Sequence, residues 1–283
     1  MLNIRFFRFW IQISFSLAML ALPFYLQGTE STVPEHQTQS IGDPKDTNFS
    51  KDAEGRVYHL GLKRGEVANR ILLVGDPERA KLIREFLDNP KETFTYVSNR
   101  GFTTYTGTKH GKPITIMAIG MGMLMMDFAI REIRAITDGP LFIIRLGSCG
   151  TPKSNVSIGT IVVAKQSYGI LTNYDAYHTQ LPNPADYFTL TQPLQADIAL
   201  HGKLLEALKN SIENFPVLEG TDATADTFYA SQGRLDVNFD DRNVALIDNL
   251  LEKHPDTTSL QMETFHLYHL AKINGYAQSR QNK

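Results

Sequence analysis

The chain has 283 residues, 42% of them hydrophobic, so it can bury a sizeable core, and α/β folds of this length often form one domain. Its 28 basic and 30 acidic residues leave a formal net charge of −2, which excludes the basic field that nucleic-acid binders carry. The single cysteine, Cys149, rules out an internal disulfide, and no Cys/His group has the spacing of a zinc site, so no metal is expected.

At the amino terminus Arg5 and Arg8 precede Phe9 to Leu26, which is apolar apart from Gln12, Ser14 and Ser16, and no acidic residue occurs before Glu30. Residues 1–28 therefore read as a secretory signal or signal-anchor. Their apolar part exceeds the usual ~7–15 residue signal core and falls short of a comfortable ~20-residue span. Residues 29–55, rich in Thr, Ser, Gln, Pro and Asp, read as a flexible linker, leaving 56–283 as the folded domain.

From Val57 onward short apolar runs alternate with helical patterns, which predicts an α/β fold with a largely parallel sheet. Ile71-Leu-Leu-Val74 is a strand closed by Gly75-Asp76-Pro77. Glu78 to Leu87 follows as a helix with Leu82, Ile83, Phe86 and Leu87 on one face. Pro113 to Ile119 is a second strand, ended by Gly120-Met-Gly122 and a helix from Leu124 to Thr137. Leu141 to Leu146 is a third strand, and Gly159 to Ala164 a fourth. Leu171 to Pro193 reads as a long irregular loop, Gln195 to Phe215 as a helix, and Glu263 falls near the start of a helix reaching Ala271. Ligands of open α/β sheets gather outside the carboxyl ends of the strands, where Gly75, Gly122 and Gly147 converge.

Within Leu141-Phe-Ile-Ile-Arg-Leu146 the permanently charged Arg145 interrupts an apolar run, and a buried cation needs an anion. Gly147-Ser-Cys-Gly150 follows, where small residues let backbone N–H groups form an anion-binding nest. The alternative is an Arg145 paired with a core carboxylate or reaching the surface. Arg79 opens the first helix, where free N–H groups favour an anion, so Arg79 and Arg145 form a candidate phosphate clamp. Arg100 sits on a turn and alone reads as a solvated charge. Cys149, with no His or Asp near it in sequence, reads as a small turn residue rather than a nucleophile. In Asp226 to Asp236, Phe228 is suited to stacking on a flat base, while Gln232 and Arg234 match the edge groups of a pyrimidine dione; a polar loop is the plainer alternative. Glu263 either caps its helix or accepts hydrogen bonds from sugar hydroxyls.

Together these segments resemble the nucleoside phosphorylase family that includes bacterial-type purine and uridine phosphorylases, from about Tyr58 to Ala271. The motifs carrying the resemblance are Tyr58-His-Leu-Gly-Leu62, Val74-Gly-Asp-Pro-Glu-Arg79, Arg145-Leu-Gly-Ser148, Asp226-Thr-Phe-Tyr229 and Gln261-Met-Glu263. It implies a Rossmann-like three-layer α/β fold, with a central mixed, largely parallel sheet flanked by helices. It also implies phosphorolysis, in which phosphate attacks the anomeric carbon of a nucleoside and releases base and ribose 1-phosphate. No cofactor is implied, inorganic phosphate being a co-substrate.

By position in the motifs, Gly75, Arg79, Arg145 and Ser148 are expected to bind phosphate, with Arg100 arriving from a neighbouring subunit. Met262 and Glu263 are expected to hold ribose, with His59 from the same neighbour, so a homo-oligomer (a dimer or a trimer of dimers) is implied. Phe228, Gln232 and Arg234 match the uracil-reading loop, which favours uridine or deoxyuridine. A purine nucleoside phosphorylase, a nucleosidase using water, and a non-catalytic nucleoside-binding homologue are the alternatives. No nucleic-acid partner is implied. The family setting is cytosolic, against the anchored or secretory setting that the amino-terminal segment suggests. Two departures stand out: Ser148-Cys149 where relatives often carry Thr, and Gln261 where many carry Glu. Relatives also continue past the Glu263 helix into a further strand, a loop near the base and a final helix, so an exposed apolar surface and an unpaired strand edge are expected here.

Overall fold

The apolar run Ile71-Leu-Leu-Val74 becomes the centre of the first of two sheets. Strand β1 (Arg70–Val74) lies between β4 (Lys112–Ala118) and β5 (Phe142–Arg145), parallel to both, with Leu73 and Val74 fully buried. The computed structural model describes residues 49–178 and 184–281. The antiparallel hairpin of β2 (Phe94–Val97) and β3 (Thr103–Lys109) extends this sheet, giving the order β2-β3-β4-β1-β5. β3 turns into β4 through His110 and Gly111, both at positive φ, as a two-residue primed hairpin demands.

The second sheet runs β10-β9-β6-β7. Its strands β6 (Ile161–Thr172), β9 (Val217–Ala225) and β10 (Thr257–Gln261) are parallel, and the short β7 (Phe188–Leu190) and β8 (Leu194–Gln195) pair antiparallel with β6. The strands β4, β1 and β5 of the first sheet and β10, β9 and β6 of the second are parallel and the hairpin and short strands beside them antiparallel, the mixed α/β arrangement the alternation predicts, with the hydrogen bonding divided between two sheets. A backbone bridge between Gly150 and Leu260 ties them together just beyond the end of β5.

Helix α1 (Pro77–Arg84) follows β1, α2 (Met123–Ile136) follows β4, α3 (Ile198–Ser211) and α4 (Leu246–Lys253) flank the second sheet, and α5 (Thr264–Gln281) follows β10. α2 buries Met126, Ala129, Ile130, Ile133 and Ile136, a helical stripe that joins Leu60, Leu62, Leu73, Met117, Leu267 and Leu270 in the main core. α1 departs from its expected face. It stops at Arg84, leaving Leu82 and Phe86 exposed, while Ala80 and Leu87 are the buried positions.

β6 continues eight residues past the expected end at Ala164, because its polar residues are satisfied sideways by β9. Lys165 forms a bulge, Gln166 donates to the Thr221 hydroxyl (2.9 Å) and Ser167 to Asp222 (2.7 Å). β10 likewise takes Leu260 and Gln261, so α5 begins only at Thr264. The expected loop over 171–193 is interrupted by β7 and two short 3₁₀ turns. The expected linker ends earlier than residue 55: Phe49 packs on the main core and Lys51 bridges to Val57. The rest of that linker and the apolar segment Phe9 to Leu26 lie outside the described residues. Among the described residues no helix is long and apolar enough to cross a membrane.

β5 pairs with β1 alone among the described strands. Beside that edge and the first half of β6 lies a cavity of about 1500 Å³, lined by apolar residues including Leu141, Ile143, Leu204, Leu208, Leu267 and Ile273.

At Gly220 the side chain of Thr258 in β10 packs onto the β9 backbone, since a methyl group there would overlap Thr258 Oγ1 and stand 2.7 Å from its Cβ. Gly220→Ala is expected to destabilise the protein by about 1–3 kcal/mol through overpacking. Urea unfolding measures this, and an unchanged midpoint would show that the two strands can separate freely.

Candidate active site

β1, β4 and β5 are parallel, so their carboxyl ends deliver Gly75, Gly120 to Gly122 and Arg145 to one side of the first sheet. β9 and β10 are parallel to β6 and deliver Asp226 and Gln261 to Glu263 at their own carboxyl ends. The two sets meet where Arg145 Nη2 lies 3.3 Å from Glu263 Oε2, with side chains only 9% and 7% exposed. Glu263 Oε1 also accepts from the Gly122 backbone N–H at 2.7 Å. The glycine conformation (φ +96) that presents this N–H is one L side chains rarely adopt, and Met262 reaches to 3.9 Å from where a Gly122 Cβ would stand.

Two further glycines make room for the guanidinium. A methyl group on Gly147 would lie 2.6 Å from Arg145 Nη1, and one on Gly75 would lie 3.3 Å from Nη2 and 3.1 Å from the Gly120 carbonyl oxygen. Nη1 donates to the Leu146 carbonyl, whereas the buried Nε has no hydrogen-bond partner. An unsatisfied buried donor is costly, and an incoming oxyanion would satisfy it. Burial lowers the Arg145 pKa from its ordinary value, Glu263 opposes that shift, and the positive Arg79 adds to it. Arg79 lies in the first turn of α1, whose cap is Asp76 accepting from Glu78 N–H at 2.9 Å. The carboxylate-paired reading of Arg145 is therefore realised, and among the described residues its Nε is left without a hydrogen-bond partner.

Gly147 and Ser148 line the cavity that Arg145 and Glu263 border. Cys149 lines it too; the residue keeps an exposed surface, yet desolvation by the atoms crowded around its thiol and the nearby Asp222 carboxylate push the thiol pKa up to about 11. It is accordingly a neutral thiol at neutral pH, consistent with a small turn residue.

The loop after β9 is preassembled. Asp226 accepts from Thr172 N–H (2.7 Å), the Thr172 hydroxyl (3.1 Å) and the Ser231 hydroxyl, which fastens the loop to the end of β6. Asn243 donates to the Ala230 and Arg234 carbonyls at 3.0 and 2.8 Å. On this frame Gln232 is buried, the Arg234 guanidinium lies 4.0 Å over the half-exposed Phe228 ring, and Arg234 donates to Phe228 O (3.0 Å) and Gln232 Oε1 (3.2 Å). Arg234 thus touches both of the other base-reading candidates and covers one face of Phe228.

Arg100 and His59 form a second cluster, whose Tyr58, His59 and Glu132 line the same cavity as Arg145 and Glu263. Arg100 donates to the Tyr58 hydroxyl at 3.0 Å and lies over its ring, and the His59 ring meets Tyr58 edge-on. His59 stacks on Phe128 at 3.9 Å, and its Nδ1 is 2.6 Å from Glu132, which also accepts from His59 and Leu60 N–H. Within one chain no hydrogen bond or ion pair among the described residues joins this cluster to Arg145 or Glu263. Glu132 was not singled out from sequence; its only signal is a carboxylate beside the apolar stripe of α2. Asp222, wholly buried in β9, was missed because nothing in its surroundings marked a strand.

The fold and site define an α/β protein with a buried arginine–carboxylate pair at the strand ends. The chain belongs to the phosphorylase superfamily, whose model matches residues 69–278. It is 32% identical over 224 residues to a uridine phosphorylase of Thermococcus kodakarensis (78% of this chain, 74% of the relative). It is 30% identical over 223 residues to a DeoD-type purine nucleoside phosphorylase of Oceanobacillus iheyensis (77% and 81%). Among solved structures it resembles one from a study of two uridine phosphorylases of the oomycete Phytophthora capsici. There the TM-score is 0.77 at 38% identity, over 81% of this chain and 83% of that one.

Removing one partner of a buried ion pair strands the other, so Glu263→Ala is expected to cost about 3–5 kcal/mol of stability. Urea unfolding of the variant measures it, and a loss below about 1 kcal/mol would mean that Arg145 is hydrated or paired elsewhere.

Proposed function

We propose that the protein is a uridine phosphorylase, converting uridine or deoxyuridine and inorganic phosphate to uracil and the pentose 1-phosphate. The observation that carries the base preference is the preassembled Phe228–Gln232–Arg234 loop, which follows β9, the parallel neighbour of the strand that leads into Glu263. In this reading Gly75, Arg79, Arg145 and Ser148 receive phosphate, the free Arg145 Nε supplying one donor. Glu263 accepts from the ribose hydroxyls while Met262 packs against the sugar. Gln232 and Arg234 meet the uracil edge. As the glycosidic bond lengthens, the ribose gains oxocarbenium character, phosphate closes on its positive face, and Arg234 offsets the charge growing on the departing base. Positioning and electrostatics supply the rate, and the protein forms no covalent bond to substrate.

Arg100 and His59 complete the site of a neighbouring copy in this reading, which requires at least a dimer. Native mass measurement is expected to show an oligomer, and a strictly monomeric active enzyme would refute that assignment. A purine nucleoside substrate is the second reading, favoured by the similarity to a purine nucleoside phosphorylase.

Purified protein with uridine is expected to release uracil only when phosphate is present, and to use inosine poorly. Arg234→Ala is expected to lower kcat on uridine about 10²–10³-fold, as loss of one charge-stabilising donor does, with phosphate binding nearly unchanged. Phosphate-independent uracil release would indicate a nucleosidase, and faster turnover of inosine would favour the purine reading. Binding of uridine without turnover would indicate a non-catalytic homologue.

A further inference from the structure

Asp222 sits inside β9 with 1% of its surface exposed, and four side chains donate to it. Ser167 (2.7 Å), Thr224 (2.8 Å) and Gln261 Nε2 (2.5 Å) reach Oδ2, and Ser259 (2.7 Å) reaches Oδ1. Gln261 Nε2 also donates to the Thr224 hydroxyl at 2.6 Å, which uses both amide hydrogens. The Gln261 amide can therefore point only one way. Its Oε1 faces α5 and accepts from Glu263 N–H at 2.6 Å and Thr264 N–H at 3.2 Å. Thr224 accepts from Phe265 N–H at 2.9 Å, so the same network holds three consecutive N–H groups at the start of the helix.

We propose that Asp222 is a positioning residue for Glu263. Its carboxylate fixes the orientation of the Gln261 amide, the amide oxygen caps α5, and the cap sets where Glu263 meets Arg145 and Gly122. Among the described residues Asp222 makes no hydrogen bond or ion pair with Arg145 or Glu263, and acts through Gln261. The role rests on the reading that Glu263 and Arg145 hold ribose and phosphate. The chemistry also explains the amide at 261: a carboxylate there would retain the acceptor for the helix N–H groups but could face the buried Asp222 only with one of the two acids protonated, whereas the amide donates to Asp222 without that requirement. An acid at 261 is compatible with a donor at 222, and the amide at 261 with an acid at 222.

The test is the cycle of wild type, Gln261→Glu, Asp222→Asn and the double variant. Urea unfolding is measured together with kcat and KM for uridine and phosphate on folded protein. Gln261→Glu is expected to lose about a hundredfold in kcat, the scale of a small misplacement of a positioning group, with a smaller change in KM. The double variant, which exchanges amide and acid, is expected to recover at least tenfold of that loss. Its unfolding midpoint should also lie above the value obtained by adding the two single shifts to the wild-type midpoint. Wild-type kcat in Gln261→Glu, or a folded double variant as impaired as the single one, would overturn the proposal. If Gln261→Glu does not fold, Gln261→Ala, which removes the cap without adding charge, should show the kcat loss; wild-type kcat in it would overturn the proposal. Should wild type release no uracil, the functional reading fails on its own. The unfolding cycle then decides the pin, and additive shifts refute it.

Discussion

The site depends on keeping one cation out of water. Arg145 stands at the end of a strand whose neighbours are apolar, and a guanidinium there is tolerable only with a carboxylate in contact. Glu263 supplies it from the other sheet, so the ion pair also fastens the two sheets at the point where their loops meet. Glycines at 75 and 147 follow from the same constraint, because a side chain at either would press on the guanidinium. Neutralising Arg145 with Glu263 while leaving Nε unpaired gives a site stable enough to fold and still short of one acceptor.

Each sheet then contributes a different chemistry. The first supplies glycine turns, the α1 amino terminus and both nearby arginines, which suit an anion. The second supplies the Asp226-anchored loop and the capped start of α5, which suit a flat polar base and a sugar. In the proposed reaction these must bear on opposite sides of one glycosidic bond, and the ion pair fixes their spacing. The buried polar network around Asp222 performs for α5 what the glycines perform for Arg145: it removes alternative placements of a residue whose position matters.

The sequence was readable wherever residue type and local structure agreed. β1, β4 and β5 were legible because they are apolar runs ended by glycine turns, and α2 because its stripe keeps the helical period. β9 was illegible because Gly220-Thr-Asp-Ala-Thr-Ala225 looks like a loop until Ser167, Ser259 and Gln261 are present to satisfy it. β6 past Lys165 was hidden for the same reason. Of the site, Arg145 was conspicuous as a charge in an apolar run, and the structure added its partner. Gln232 and Arg234 were recognisable as a pair, but their contact with Phe228 depends on Asp226 and Asn243, which only folding brings near. His59 was placed by motif, whereas its tie to Glu132 spans 73 positions and leaves no local trace.

The central claim is that Arg145 is at once a structural cation and the receptor for phosphate. Calorimetric titration of inorganic phosphate into wild type and into folded Arg145→Ala tests it most directly. The account predicts saturable binding to wild type and none to the variant over the same range. Equal phosphate affinity in both would contradict it.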